Sequence, residues 1–504
     1  MQMQKVKNRI MIRLKNLRTW ALLFAFSLSI GLKAQVYSAF GHSVYAGVYS
    51  TVLNPAFSAS DRHKWHINLI GAGINANNNY MRLSMPYSPY RGMVNKVPPA
   101  YQTPSGNAKF EKSWMVLRDG TKPKHASAQA HILGPSVLLK IGSFGLGLST
   151  EAYANARAYC IDKKLANAIF YEFDSMQGAF DQIIKEASTG TISTKGGTVA
   201  ASGYAAIGFN ISKAFTMKWD RQIAFGITPK MVWGFGFTGL KMNDFNITGI
   251  NSDNITISNF SAQSEYSQQT KRGFGADIGI SYLHNKPGPS RSGADRAMGS
   301  PFNARIGLAL LNVGGINYDA NLYSVSTTGE VTMAKSDFEN LSTSNGDSVA
   351  ASLWRNYGQV SSRNVQRRVG LPTALHLSIT KPIRPNIYIS GSWVQSMRKR
   401  NSYHMRQQSY IQVTPHYVKK HWEVGVPLGL MYDYRAPRMG LYARFGPLFI
   451  GTHSLNGLLN TRNADDADLF FGLSIRRLSR AKSKIERERE GMEKGSKPDK
   501  CGEF

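Results

Sequence analysis

Cysteine is nearly absent from this chain of 504 residues: Cys160 and Cys501 are its only two. Two cysteines so far apart build no disulfide framework, and their spacing matches no metal site. Both are expected as thiols rather than as halves of a disulfide. Acidic residues are also scarce, 31 Asp and Glu against 61 Lys and Arg, which leaves a formal net charge of +30. Beyond the N-terminus there is no apolar run of the roughly 20 residues that a membrane-spanning helix needs, so helical spans are excluded.

The N-terminus itself reads as an address. Lys5, Lys7, Arg9, Arg13, Lys15 and Arg18 precede the apolar run WALLFAFSLSIGL (20–32), and LKAQ follows. A basic stretch, a short apolar stretch and Ala34 before Gln35 describe a cleavable secretory signal over residues 1–34. No cysteine follows it, which argues against a lipoprotein. Export argues against a nucleic-acid partner for the basic chain, and its cations are scattered without a nucleic-acid motif. Outer-membrane lipid or lipopolysaccharide is the expected partner for that charge.

What recurs after the signal is a segment of about ten residues with period-two alternation, rich in Gly and aromatics, the pattern of a membrane strand. YAAIGFNISKAF (204–215), IAFGITPKMVWGFGF (223–237), GFGADIGISYL (273–283) and ARIGLALLNVGGI (304–316) are examples. The mean hydropathy of −0.29 is compatible with this, because only every second residue of such a strand meets lipid. Strands are expected near 65–81, 127–141, 144–157, 203–217, 221–238, 271–284, 303–317, 371–381, 385–397, 405–417, 421–434, 438–446, 448–455 and 468–478. The connections GS (142–143), KWD (218–220), PIRP (382–385), KKH (419–421) and GP (446–447) are turn-like. They alternate with long loops at 82–126, 158–202, 239–270 and 318–370. Only 285–302 breaks the rule. A soluble β-sandwich has no reason to gather its long loops on one side, so the fold class expected is all-β: an antiparallel outer-membrane β-barrel of about fourteen strands.

Aromatics near strand ends, Trp233, Phe235, Phe237, Trp393, Trp422, Tyr432, Tyr434 and Phe449, are expected in interfacial girdles. The loop 162–188 carries Leu165, Ile169, Phe173, Met176, Phe180 and Ile184 at helical spacing, so the outer loop is expected to be partly helical. The resulting layout is a signal peptide (1–34), a periplasmic N-terminal segment with a turn into the barrel (35–64), the barrel (65–478) and a polar periplasmic tail (479–504).

Chemistry-bearing patterns are few. His42-Ser43 and His453-Ser454 are sequence neighbours, and neighbours on a strand point to opposite faces, so neither is a dyad by itself. No Ser, His and acid set is expected to meet, and no catalytic residue is assigned. The histidines lack metal-ligand spacing, Asp465, Asp466 and Asp468 lack the turn glycine of a Ca²⁺ loop, and no cofactor is expected. RKR (398–400), Arg406 and QRR (366–368) are expected as exposed cationic loops, with lipopolysaccharide as a possible contact.

The order of signal, Asn54-Pro55-Ala56, Asp61-Arg62, Lys64, INL (67–69) and NNNY (77–80) resembles the start of an uncharacterised Bacteroidota outer-membrane β-barrel family. RFGPLFIGTHSLNGLL (444–459), with Gly446, Pro447 and Gly451, looks like that family's penultimate hairpin. More distantly, the layout is similar to the PorP/SprF proteins of type IX secretion and gliding motility. That resemblance implies a non-enzymatic component of a surface-export or motility machine, with a secretion or gliding protein as partner. The alternative from the barrel itself is a channel for a small hydrophobic ligand. On either reading Asn54-Pro55-Ala56 is expected where the N-terminal segment turns into the barrel, since Pro55 has no N–H and Asn54 can bond backbone two residues on.

Overall fold

In the computed structural model the described residues run from Tyr37 to Leu478, leaving out 119, 121, 172–186, 188–190, 195–196, 219–220, 244, 250–253, 286–301, 328, 335–358 and 461. The signal, the tail with Cys501, most of the 162–188 loop and the 285–302 connection therefore lie outside them. Within the 162–188 loop, helix Lys163–Tyr171 is formed.

Nineteen strand segments join in one antiparallel sheet, and five pairs of them are collinear halves of interrupted strands, so the ring has fourteen strands. They are β1 (His63–Asn78), β2 (Lys124–Leu133 and Ser136–Ile141), β3 (Phe144–Ile161), β4 (Thr198–Lys218), β5 (Arg221–Met242), β6 (Ser261–Ser267 and Lys271–Asn285) and β7 (Phe302–Ser326). Then follow β8 (Gln359–Gly370 and Ala374–Arg384), β9 (Ile387–Ser396), β10 (Tyr410–Val418), β11 (Trp422–Gly425 and Leu428–Met431), β12 (Ala436–Met439 and Leu441–Phe445), β13 (Leu448–Thr452) and β14 (Asp466–Leu478). The ring closes between β14 and β1, with Ile67 opposite Ile475 and Gly71 opposite Gly472. Three of the interruptions fall at Pro135, Pro372 and Pro427. Proline cannot donate to the ladder, and side chains fill in: Asn68 Nδ2 donates to the carbonyls of Leu133 (3.0 Å) and Gly134 (2.8 Å) beside Pro135.

The period-two pattern decides what each face meets. On β5, Phe225, Ile227 and Met231 are exposed while Gly226, Thr228, Lys230 and Val232 between them are buried. The same outward apolar band continues through Ile306 and Leu308 on β7, Ile387 and Ile389 on β9, Leu448 and Ile450 on β13, and Ile67 and Leu69 on β1. An apolar outer face around a closed ring with a polar interior is the form in which a sheet crosses lipid, since closure leaves no unpaired edge. The protein is thus an outer-membrane-type β-barrel. Among the described residues no helix is long and apolar enough to cross a membrane.

The structure alters several expectations. Phe237, Tyr432 and Phe449 are buried, so they line the interior instead of a girdle, whereas Phe235, Trp422 and Tyr434 are exposed. Gly236 carries a positive φ of 122° and a Cβ there would lie 2.4 Å from the Ser267 carbonyl oxygen; this irregularity resets the alternation and turns Phe237 inward. Strand β10 starts at Tyr410, not at 405. Beyond the ring, the long loops carry a small sheet of Ile192–Thr194, Phe245–Gly249, Asn254–Ser258 and Glu330–Ala334.

Candidate functional site: a plugged lumen

The segment expected in the periplasm is inside the barrel. From Tyr37 to Ala59 most residues are buried, folded as the short helices Ser38–Gly41 and Val48–Leu53 and the 3-10 turn Pro55–Ser58. The reason is complementarity. Asn54 caps the turn by accepting from the Ala56 N–H (2.9 Å), and Pro55 occupies the position where an N–H has no partner. The free amide of Asn54 then donates to the Ile280 (3.0 Å) and Leu308 (3.2 Å) carbonyls of β6 and β7.

Four inward glycines make room for this turn. A Cβ at Gly279 would lie 2.1 Å from Asn54 Oδ1, and one at Gly226 2.5 Å from the Ala56 nitrogen. At Gly307 it would meet the Phe57 ring at 2.6 Å, and at Gly145 the Ser58 backbone at 2.4 Å. Asn54-Pro55-Ala56 is therefore docked in the lumen wall. The chain turns into β1 later, where Asp61 accepts from the His63 N–H (2.9 Å).

Ahead of that turn the plug is fastened by an aromatic cluster. Phe40 stacks on Phe449 with centroids 4.1 Å apart, and Tyr37 and Tyr49 pack edge-on beside them. Wall residues Leu133, Leu138, Tyr442 and Phe470 complete the cluster. The penultimate hairpin contributes here: Gly446 turns with a positive φ of 56°, Ser474 N–H donates to the Pro447 carbonyl (2.9 Å), and a Cβ on Gly451 would strike Tyr442 at 2.3 Å. Beside the hairpin, Tyr45 of the plug lies between the guanidiniums of Arg444 (4.4 Å) and Arg476 (4.7 Å).

Polar latches complement the rings. Ser43 Oγ donates to Glu423 Oε2 (2.7 Å), whose carboxylate also takes the Tyr442 hydroxyl (2.7 Å) and pairs with Arg444 (3.3 Å) and His416 (3.2 Å). Arg305 donates to the His42 carbonyl (2.9 Å), and His376 Nδ1 meets the Leu53 carbonyl (2.7 Å).

Above the plug sits a buried ion cluster. Lys230 Nζ lies 2.9 Å from both Glu151 Oε1 and Asp277 Oδ2, and Glu151 also meets His131 (3.2 Å). A cavity of about 20 Å³ between Thr51, Val52, Val137, Lys230 and Asp277 holds water at most, since about 15 Å³ of such volume takes one water. Further up, residues 397–409 fold into the mouth. Arg398 donates to the Leu371 and Gly314 carbonyls (3.1 Å each), and Arg406 holds Asp433 in a two-pronged pair (2.9 and 2.7 Å). Arg398 and Arg406, expected as exposed loop cations, are thus part of a lid. Burial would raise the Asp433 carboxyl, but the Arg406 hydrogen bonds and charge outweigh it and hold it below the usual carboxylate range.

One grouping was not legible at all. Ser38 Oγ lies 2.8 Å from His453 Nε2, and His453 Nδ1 lies 2.9 Å from Asp468 Oδ1. The expectation that no Ser, His and acid meet is corrected: they do, in the spacing of a nucleophile relay. Ser38 and His453 are each only 1% exposed, however, and Ser38 also bonds Gln412 (3.3 Å), so no acyl group reaches the oxygen in this state. We assign the trio to fastening the plug. Ser38 is accordingly expected to stay unlabelled by a fluorophosphonate probe in the detergent-solubilised protein. Labelling that disappears in Ser38→Ala would overturn the assignment. Among the described residues no group of three His, Cys, Asp or Glu is placed to hold a metal.

The sequence profile of a family of unknown function (DUF5723) matches residues 55–453, and the chain belongs to that family. No curated protein matches. Among solved structures, the toluene transporter TodX of Pseudomonas putida is similar at 9% identity and a TM-score of 0.40, covering 88% of this chain and 97% of that one. A TodX deltaS2S3 mutant, described as a monoaromatic hydrocarbon channel, gives 9% and 0.42 with 86% and 95% covered. A FadL homologue of Pseudomonas aeruginosa gives 11% and 0.36 with 88% and 97% covered. At such scores the barrel assignment rests on the closed ladder described above. Nothing in these comparisons supports the PorP/SprF likeness or a Bacteroidota origin.

Proposed function

We propose that this DUF5723 protein is a gated outer-membrane channel for a small hydrophobic ligand, with residues 37–60 as its gate. The observation that carries the reading is the aromatic cluster of the lumen. Porin-type lumens are polar and wet, yet here Leu133, Leu138, Tyr442, Phe449 and Phe470 face inward against the plug. Withdrawal of the plug uncovers an apolar patch inside a closed barrel, the kind of lining a hydrophobic ligand needs. The plug pairs with no wall strand, so it can move without breaking the ladder. In this reading the short-turn end and the tail 479–504 face the periplasm, and no residue acts catalytically.

Reconstituted barrels lacking residues 37–60 are expected to conduct ions steadily in planar bilayers, where the full chain stays mostly closed. They are also expected to speed entry of a small aromatic probe into liposomes. Unchanged conductance and probe entry in a correctly folded deletion would sink the channel reading. A filled lumen also suits a scaffold within a surface-export machine, the reading implied by the PorP/SprF resemblance. Stoichiometric recovery of one secretion or gliding protein from membranes, together with a deletion that passes nothing, would favour that second reading.

A further inference from the structure

A cleft opens beside β6, β7 and β8 toward the long-loop end, where Tyr266, Asn321 and Asn364 occupy the outward-facing positions of their strands. It forms where β6 is interrupted at 268–270, and it encloses about 650 Å³. Tyr266 stands opposite Asn321 on β7, which stands opposite Asn364 on β8; one pair of residues nearer the lipid, Asp319 stands opposite Gln366. Gln268 and Gln269 at the interruption add two more amides, and Ser267 and Val365 line its inner side. The Tyr266 ring runs parallel to that of Tyr323, with an interplanar angle of 1° and centroids 6.0 Å apart. Its carboxylate is already neutralised, since Asp319 pairs with Lys271 Nζ at 2.6 Å.

Amides supply paired donors and acceptors without net charge, and tyrosine adds a flat apolar face with a polar tip. That set suits a hydroxyl-rich ring better than an ion or a hydrocarbon. Just toward the lipid band, the cleft is bordered by the exposed cations Arg272 and Arg368. Arg368 lies over Gly315, where a Cβ would come 3.1 Å from its Nε. Below them the outer face turns apolar at once, with Phe274 73% exposed. Guanidiniums at this height suit phosphate, which they bind with two prongs.

We infer that this cleft binds the phosphorylated saccharide head of a membrane-anchored glycolipid of the lipopolysaccharide type. Its acyl chains lie along the apolar band, its phosphates meet Arg272 and Arg368, and its sugars occupy the cleft. Continuity with the lipid face fixes the source: a site for free glycan has no need to sit directly above lipid.

The test uses the full-length protein in detergent and three probes: purified lipopolysaccharide, its lipid A, and its delipidated oligosaccharide. Binding of the whole glycolipid is expected to weaken about tenfold or more in Tyr266→Ala/Asn364→Ala, an easily resolved change in dissociation constant. Lipid A should bind the native protein about as weakly as whole glycolipid binds that variant. If the double variant fails to fold, Asn321→Asp serves instead, adding one repelling carboxylate at constant volume, with the same direction expected. Native affinity in a folded variant would overturn the site. Oligosaccharide binding as tightly as whole glycolipid would overturn the membrane-anchored source and leave a soluble glycan.

Discussion

Replacing Glu423 by alanine is expected to destabilise the folded barrel by about 3–5 kcal/mol, the cost of breaking a buried charge pair from one side. The Glu423 carboxylate is fully buried and serves four partners at once: Ser43 of the plug, and His416, Tyr442 and Arg444 of the wall. Without it the Arg444 guanidinium remains buried with only the carbonyls of Lys419 and Gly446 as acceptors, and the Tyr442 hydroxyl loses its carboxylate. Ser43→Ala removes two hydrogen bonds, the one donated to Glu423 and the one accepted from the Tyr45 N–H (3.0 Å), and is expected to cost about 1–2 kcal/mol. The comparison separates wall from plug. Denaturant unfolding in detergent reads the stability, and ion conductance reads the plug. Glu423→Ala should weaken both, Ser43→Ala mainly the plug. A Glu423→Ala barrel within about 1 kcal/mol of the native one would show that the pair is not under the desolvated conditions that make such losses large.

Lys230→Met should be nearly as costly, and for the opposite charge. The ammonium stands between Glu151 and Asp277 at 2.9 Å from each and bonds Asn312 Oδ1 at 2.9 Å as well. Removing it leaves two carboxylates facing each other in a buried site, again a loss of about 3–5 kcal/mol. The sharper expectation concerns the triple change Lys230→Met/Glu151→Gln/Asp277→Asn. With every charge gone, the repulsion and the desolvation both vanish, and most of the loss should be recovered. Groups in one network do not add, and the size of that recovery measures their coupling. If the triple variant is less stable than Lys230→Met alone, the cluster is worth more as hydrogen bonds than as charges, and its account here fails.

The membrane strands were legible because the information is local. Alternation places Phe225 and Ile227 on one face and Thr228 and Lys230 on the other within a few residues, and the turns at 142–143 and 446–447 carry their own glycines. The hairpin with Gly446 and Pro447 was readable for the same reason. The site was not. Ser38 and His453 are 415 residues apart, and Ser43 and Glu423 are 380 apart, so no spacing brings them together. Arg398 and Arg406 look like any cationic loop until the mouth they fold into is known.

Asn54-Pro55-Ala56 marks the boundary between the two kinds of knowledge. Its turn chemistry is local, and the tight turn was legible. Its place was not, because that depends on Gly145, Gly226, Gly279 and Gly307, four positions on different strands that become one cradle only after the sheet closes. The sequence by itself determined the alternation, a strand number of about fourteen and the sorting of long and short connections, all consequences of period two and turn propensity, and the closed ladder fixed the count. Only the tertiary structure decided that the barrel is filled and by which segment, because closure sets which inward side chains face one another across the lumen, and burial in that shared space turns them into partners.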